Sequence, residues 1–242
     1  TPEVEPTPWP VQSMVPAPDD VLPLAGRDGE PGRLRCSNRP FGFDGLMAPT
    51  GAEHRVGPEY DLLRSLSRGP MDMSWAPPGQ DPTFREAARD PTGVVFLNDR
   101  DAPEPIEGGP YAYITLKLGP SGWAFEGSGD CQPRGVPGPD FGQATWTLDP
   151  SFAAPVPETR TLHLLVQEVA CSGGRSASGR ISPAFVIESR HEVAIELFIQ
   201  GLPVEGDCPA SPSTPATLRL PTPIGDRTLL DVGAMGLGGS GG

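Results

Sequence analysis

The sequence predicts a mainly β protein with a small α+β N-terminal half, in which a helix packs on an antiparallel meander, followed by an Ig-like antiparallel β-sandwich. Short runs of alternating apolar and polar residues recur through the second half, as expected for half-buried strands. The 31 Gly and 33 Pro residues fall largely between these runs, at turn positions. Strong helix signals occur only in the first half.

Four segments are expected along the chain. A Pro-rich acidic lead covers residues 1–20 and carries too little apolar surface to fold by itself. The α+β domain covers 21–139 and the β-sandwich domain covers 140–232. A Gly-rich tail, 233–242, follows, and its GGSGG end is either native or an added linker.

The first half contains two helix signals. At Pro58, proline suits the first helical turn, acidic residues follow it, and Gly69-Pro70 ends the pattern. Leu62, Leu63 and Leu66 give this helix an apolar side. A shorter helix is predicted from Asp81-Pro82, an N-cap followed by proline, to Asp90-Pro91.

Strands are predicted wherever apolar runs are short or alternate with polar residues. In the first half they form a meander over residues 94–97, 111–118 and 123–125. In the second half they cover 144–148, 161–167, 185–187, 193–199, 217–220 and 229–230. The polar residues 188–192 between two of these runs predict a hairpin turn.

The four cysteines, Cys36, Cys131, Cys171 and Cys208, are widely spaced and form no CxxC pair. An even number in a Pro-rich acidic chain favours disulfides and an oxidising compartment, although four buried thiols are the alternative. Of the three possible connectivities, we favour Cys36–Cys131 with Cys171–Cys208, since each bridge then stays within one predicted domain.

Charge and hydropathy narrow the classes of partner. A net charge of −13 argues against nucleic acid and against anionic membrane surfaces. There is no apolar run long enough for a transmembrane segment. Thr1 to Pro10 lacks the basic and apolar regions of a signal peptide, so an exported precursor would carry further residues, such as a lipid-anchored N-terminus.

No catalytic, cofactor-binding or metal-binding residues are predicted, because no pattern supports them. Nothing in the sequence places His54, His163 or His191 beside a serine and an acidic residue, as a hydrolase triad requires. The GxSxG around Ser240 lies in the Gly-rich tail and lacks the strand and helix of a nucleophile elbow.

Two further clusters are read as structural rather than functional. The acidic residues Asp99, Asp101 and Glu104 lack a calcium-loop pattern and indicate a solvated loop. The tryptophans could line a carbohydrate groove (Trp9, Trp75, Trp123 and Trp146), but Trp123 and Trp146 alternate as core residues would, which favours core packing for both. Trp9, in the lead, is the tryptophan that suggests docking.

Several longer stretches are similar to an uncharacterised secreted or lipid-anchored family of high-GC Gram-positive (actinobacterial) bacteria. They lie between Leu34 and Val232 and read LRCSNRPFGFDGLMAPTGAEHRVGPEYDLLRSL, GWAFEGSGDC, ATWTLDP, TLHLLVQEVACSGGRSASGRI and DCPASPSTPATLRLPTPIGDRTLLDVG. The resemblance implies export and a globular body around the four cysteines. It implies no activity and no catalytic residues.

We therefore expect a non-enzymatic extracellular or surface-tethered protein that binds a protein or a cell-envelope component, or serves structurally. One alternative is a secreted hydrolase whose site is assembled from distant residues. Another is a subunit of an extracellular assembly. The sequence leaves the ligand and the oligomeric state open.

Overall fold

The computed structural model describes residues 21–27, 32–68, 82–100, 109–203 and 207–235, and strand predominates among them. The strands, in chain order, are β1 (Val21–Leu22), β2 (Arg33–Arg35), β3 (Pro40–Gly42), β4 (Arg85–Asp90), β5 (Gly93–Asp99), β6 (Tyr111–Gly119), β7 (Gly122–Cys131), β8 (Arg134–Gly135), β9 (Phe141–Leu148), β10 (Thr161–Glu168), β11 (Phe185–Glu188), β12 (Glu192–Glu196), β13 (Phe198–Gln200), β14 (Thr214–Arg219) and β15 (Thr228–Asp231). The helices are α1 (Phe43–Leu46), α2 (Pro58–Arg68) and α3 (Val232–Met235), with a 3-10 turn at Ala52–His54. The mainly β prediction is confirmed.

The described residues group into two compact units. We call them the N-terminal unit, built around residues 32–136 and including 189–191, and the C-terminal unit, built from 21–27, 137–188 and the residues from 192 onward. The sequence pattern groups 21–27 with the first half, whereas β1 pairs with β14 in the C-terminal unit. A two-residue strand is too short to show its partner through periodicity.

The N-terminal unit contains a three-stranded sheet in the order β3-β2-β8 and a four-stranded antiparallel sheet in the order β4-β5-β6-β7. Helix α2 begins and ends where the sequence predicts. Its Tyr60 and Leu63 lie in one hydrophobic cluster with Phe96 of β5 and Ile114 of β6. Burying this side of α2 supplies most of the energy that holds so short a helix.

The second predicted helix, from 81 to 90, is wrong. Residues 85–90 form β4, which pairs antiparallel with β5 through a two-residue connection. Pro82 is compatible with either structure, and the apolar run of β5 requires a hydrogen-bonded neighbour on each side when it is buried. Strand pairing therefore outweighs a local capping signal.

The C-terminal unit contains a five-stranded sheet in the order β1-β14-β10-β9-β13 and a three-stranded sheet in the order β11-β12-β15. Trp146 and Leu164 of the larger sheet share one core with Val186 and Ile195 of the smaller. Strands β11 and β12 form the predicted hairpin. Two pairs, β1–β14 and β12–β15, are parallel, which corrects the expectation of antiparallel pairing throughout.

None of the helices in the described ranges is both long and apolar enough to cross a bilayer.

Candidate functional site

A disulfide joins the two sheets of the N-terminal unit. Cys36 follows β2 directly, and Cys131 is the last residue of β7. Their Cα atoms are 5.3 Å apart. The bridge therefore brings the ends of two strands, and the residues beside each cysteine, to one place.

A cavity of about 430 Å³ opens to solvent beside this disulfide. Besides the two cysteines, it is lined by Arg35, Ser37, Asn38, Tyr113, Asp130, Gln132 and Arg134. We call it the arginine pocket. All of its lining residues belong to the N-terminal unit.

Two arginines face each other in this pocket. Arg35 of β2 and Arg134 of β8 are direct partners in the antiparallel register, so their side chains project from the same face of the sheet. Like charges at such a position destabilise a sheet. Neither guanidinium has a carboxylate within ion-pair distance in the part of the chain that the structure describes.

One carboxylate also lines the pocket, and it is already engaged. Asp130 Oδ1 lies 2.9 Å from a guanidinium nitrogen of Arg100, whose side chain is only 8% exposed. The Asp130 side chain is 43% exposed. The lining residues thus carry two positive charges and one negative charge, and the negative charge is paired with Arg100.

Gln132 and Tyr113 provide neutral groups. Both the Nε2 and Oε1 atoms of Gln132 are buried, and neither has a hydrogen-bond partner among the described residues. The ring of Tyr113 lies over Gly129 of β7, where an added Cβ would be 3.2 Å from the ring. The absence of a side chain at Gly129 leaves room for this ring. The pocket thus offers an aromatic ring, and a donor and an acceptor that have no hydrogen-bond partner among the described residues.

This combination suits an anionic ligand. A guanidinium presents planar paired donors that match carboxylate, sulfate and phosphate oxygens. Two guanidiniums on one sheet face can hold one anion between them, and the anion would relieve their mutual repulsion. The buried amide of Gln132 could then complete its hydrogen bonds to the same ligand.

The cysteines lie where the sequence analysis puts them. Cys171 and Cys208 form a second disulfide in the C-terminal unit, with Cα atoms 5.5 Å apart, so both bridges have the favoured connectivity. No free cysteine is present, and all four cysteines lie in the described ranges, which removes the alternative of four buried thiols.

The described histidine contacts are ordinary ones. His54 is 83% exposed and its Nε2 is 3.3 Å from Glu53 Oε1. His163 stacks on Phe152 with ring centroids 3.7 Å apart, and its Nδ1 is 3.4 Å from Thr217 Oγ1. His191 lies in the turn between β11 and β12.

The predictions for the acidic cluster and for the tryptophans fall partly within and partly outside the described residues. Asp99 forms an ion pair with Arg85. Trp146 is buried and its Nε1 donates to the Ile195 carbonyl at 3.2 Å. Trp123 is half-buried, with the Arg89 guanidinium 5.8 Å from its ring. Positions outside the described residues are Trp9, Trp75, Asp101, Glu104 and Ser240. Within the described ranges, no group of three or more His, Cys, Asp or Glu could hold a metal ion.

Sequence reasoning missed the arginine pocket, although a signal was present. Arg35 precedes Cys36 directly, and Arg134 lies three residues after Cys131. Once the two cysteines are paired, the two arginines must be close together. The sequence could therefore indicate the pocket only after Cys36 had been paired with Cys131.

Comparison with protein-family models, with curated proteins and with solved structures gave no match to this chain.

Proposed function

We propose that this protein is an exported, non-enzymatic binding module that holds an anionic ligand in the arginine pocket. The observation that carries the proposal is the pairing of Arg35 with Arg134 at one register position, with no carboxylate of the described residues within ion-pair distance of either guanidinium. The ligand is a group on a protein or a cell-envelope component.

Other arginines of the same unit support this interpretation. Arg39 lies 2.9 Å from both Asp90 and Glu126, and Arg55 lies 3.2 Å from Glu86. In a chain with 31 acidic and 18 basic residues, carboxylates are plentiful. Two opposed arginines without such a partner cost stability, and ligand binding explains why the fold retains them.

Export is proposed on the two disulfides and on the family resemblance. Disulfides persist in oxidising compartments and are rare in reducing ones. The similarity to secreted or lipid-anchored actinobacterial proteins supports a location outside the cell or at its surface.

We also propose the finer fold classes. Support for an α+β N-terminal unit comes from the core that α2 shares with β5 and β6. Support for a β-sandwich in the C-terminal unit comes from the core that its two sheets share. The two parallel pairs make this sandwich a variant of the Ig-like arrangement.

Amide NMR titration of the intact protein with acetate and with sulfate tests the function. We expect saturable shifts at Arg35, Gln132 and Arg134 that are lost in Arg35→Gln and Arg134→Gln. Arg33→Gln is the matched control, since Arg33 is an exposed arginine on β2 that does not line the pocket. Shifts that do not saturate, or that survive both pocket variants, would refute the proposal.

A further inference from the structure

We infer that the ligand of the arginine pocket is an acidic sugar carrying a single carboxylate, such as a hexuronate unit. This inference rests on the proposed anion-binding function and specifies its ligand. It is carried by three properties of the pocket: its volume, its charge and the neutral groups that line it.

The volume of the pocket exceeds the needs of an inorganic anion. The cavity, which is open to solvent, has a volume of about 430 Å³. It is several times larger than a sulfate or phosphate ion and lies in the range of cavities that hold small organic ligands. The anionic group is therefore one part of a larger molecule.

The two guanidiniums of the pocket favour a carboxylate. Arg35 and Arg134 provide the positive charges of the lining, while Asp130 is already paired with Arg100. A carboxylate accepts two parallel hydrogen bonds from a planar guanidinium, so either arginine, or both together, can hold it.

The neutral groups favour a hydroxylated ring. The Gln132 amide both donates and accepts hydrogen bonds, and neither of its polar atoms has a partner among the described residues, so it matches a sugar hydroxyl. Asn38 and Ser37 add further polar groups to the lining. Tyr113 lines the pocket, so its ring can offer an aromatic surface to the apolar C–H face of a sugar ring.

The test compares four probes by NMR titration of the intact protein: D-glucuronate, its methyl glycoside, acetate and D-glucose. We expect glucuronate or its methyl glycoside to bind at least about tenfold more tightly than acetate or glucose, a difference of about 1.4 kcal/mol. The methyl glycoside mimics a sugar at the end of a polysaccharide, so the tighter of the two identifies a free or a chain-bound sugar.

A variant separates sugar recognition from anion recognition. Tyr113→Leu should weaken glucuronate binding about tenfold and acetate binding by less, because the ring contacts the sugar and not the carboxylate. An amide spectrum as dispersed as that of the parent shows that the variant is folded. Asn38→Ala, at an exposed position, provides a second variant with the same expected pattern.

The outcomes distinguish this inference from the function on which it rests. Equal affinities for glucuronate and acetate would overturn the sugar inference and leave an anion site. Equal binding of glucose and glucuronate would overturn the role of the charge. Failure of acetate, glucuronate and its methyl glycoside to bind would overturn the proposed function itself.

Discussion

Arg35 and Arg134 show how a single register position can serve binding at the expense of stability. Their Cα atoms are direct partners across β2 and β8, so each guanidinium lies in the repulsive field of the other. A ligand that binds between them removes this repulsion. The unliganded protein is therefore expected to be less stable than a variant with one of the two charges removed.

Arg134→Gln should raise the free energy of unfolding of the unliganded N-terminal unit by up to about 1 kcal/mol. The reason is that the substitution removes the repulsion with Arg35 and breaks no ion pair among the described residues. Urea unfolding at low salt measures the change. Arg33→Gln serves as the control and should have little effect; a less stable Arg134→Gln would show that Arg134 has a structural role.

Glu86 of β4 links the four-stranded sheet to α2 through a hydrogen bond, and it also binds an arginine of its own strand. Its Oε2 accepts a hydrogen bond of 2.7 Å from Tyr60 Oη, and its Oε1 accepts one of 2.7 Å from Arg89 Nε. Burial alone would raise the pKa of Glu86. The hydrogen bonds from Arg89 and Tyr60, with the charges of Arg89 and Arg55, outweigh burial and hold this pKa below its ordinary value of 4.5.

Glu86→Gln should lower the free energy of unfolding at pH 7, with a deficit that shrinks as the pH falls below 4.5. A carboxyl group whose pKa is lowered in the folded state stabilises the fold above its ordinary pKa and loses that effect as it becomes protonated. Urea unfolding between pH 3 and pH 7, at about one-unit steps, follows the deficit. Asp61→Asn is the control, because Asp61 is 70% exposed; a deficit for Glu86→Gln that is constant across this range would contradict the account.

At the scale of elements, the strands and helices differ in how well local sequence predicts them. Helix α2 carries its own signals, namely Pro58 at its start and an apolar stripe, and its bounds follow from them. Strand β4 carries a helix-like start and becomes a strand because β5 pairs with it. Strands β2, β3 and β8 have two or three residues each, and such lengths show no periodicity.

Close packing of α1 on β4 depends on a residue without a side chain. Gly45 of α1 is buried, and an added Cβ would overlap the Ala87 carbonyl of β4. Gly45→Ala should therefore lower the free energy of unfolding by about 2 kcal/mol, because backbone must move to admit the methyl group.

Gly127→Ala provides the comparison, measured by thermal and urea unfolding. A Cβ at Gly127 would lie 3.5 Å from Thr115 Oγ1, an ordinary contact, so this variant should be as stable as the parent or slightly more so. Equal stability of the two variants would contradict the close packing at Gly45.

At the scale of the whole molecule, the sequence predicts the disulfides and the β-rich fold but misses the arginine pocket beside one of those disulfides. The bridges and the β-rich character follow from cysteine spacing and alternation. The site does not, because Arg35 and Arg134 are 99 positions apart in the chain and nothing local marks either of them as functional. The Cys36–Cys131 disulfide joins the two distant parts of the chain that carry these arginines.

Replacing both Cys36 and Cys131 by serine should lower the free energy of unfolding by about 2–5 kcal/mol and weaken ligand binding in the arginine pocket. The bridge restricts the unfolded chain over a separation of 95 residues and holds the two arginine-bearing segments together. Denaturant unfolding and acetate titration measure the two effects. The double Cys171→Ser, Cys208→Ser variant is the control for binding; if it weakens binding as much, the effect of the first bridge is not local to the pocket.

The central claim is that Arg35 and Arg134 bind one anion together. A double-mutant cycle measured by acetate titration tests it most directly, using the parent, Arg35→Gln, Arg134→Gln and the double variant. We predict that each single substitution weakens binding at least about tenfold, and that the double variant binds no more than slightly worse than either single one. Single substitutions that leave the dissociation constant within about twofold of the parent, as Arg33→Gln should, would contradict the claim.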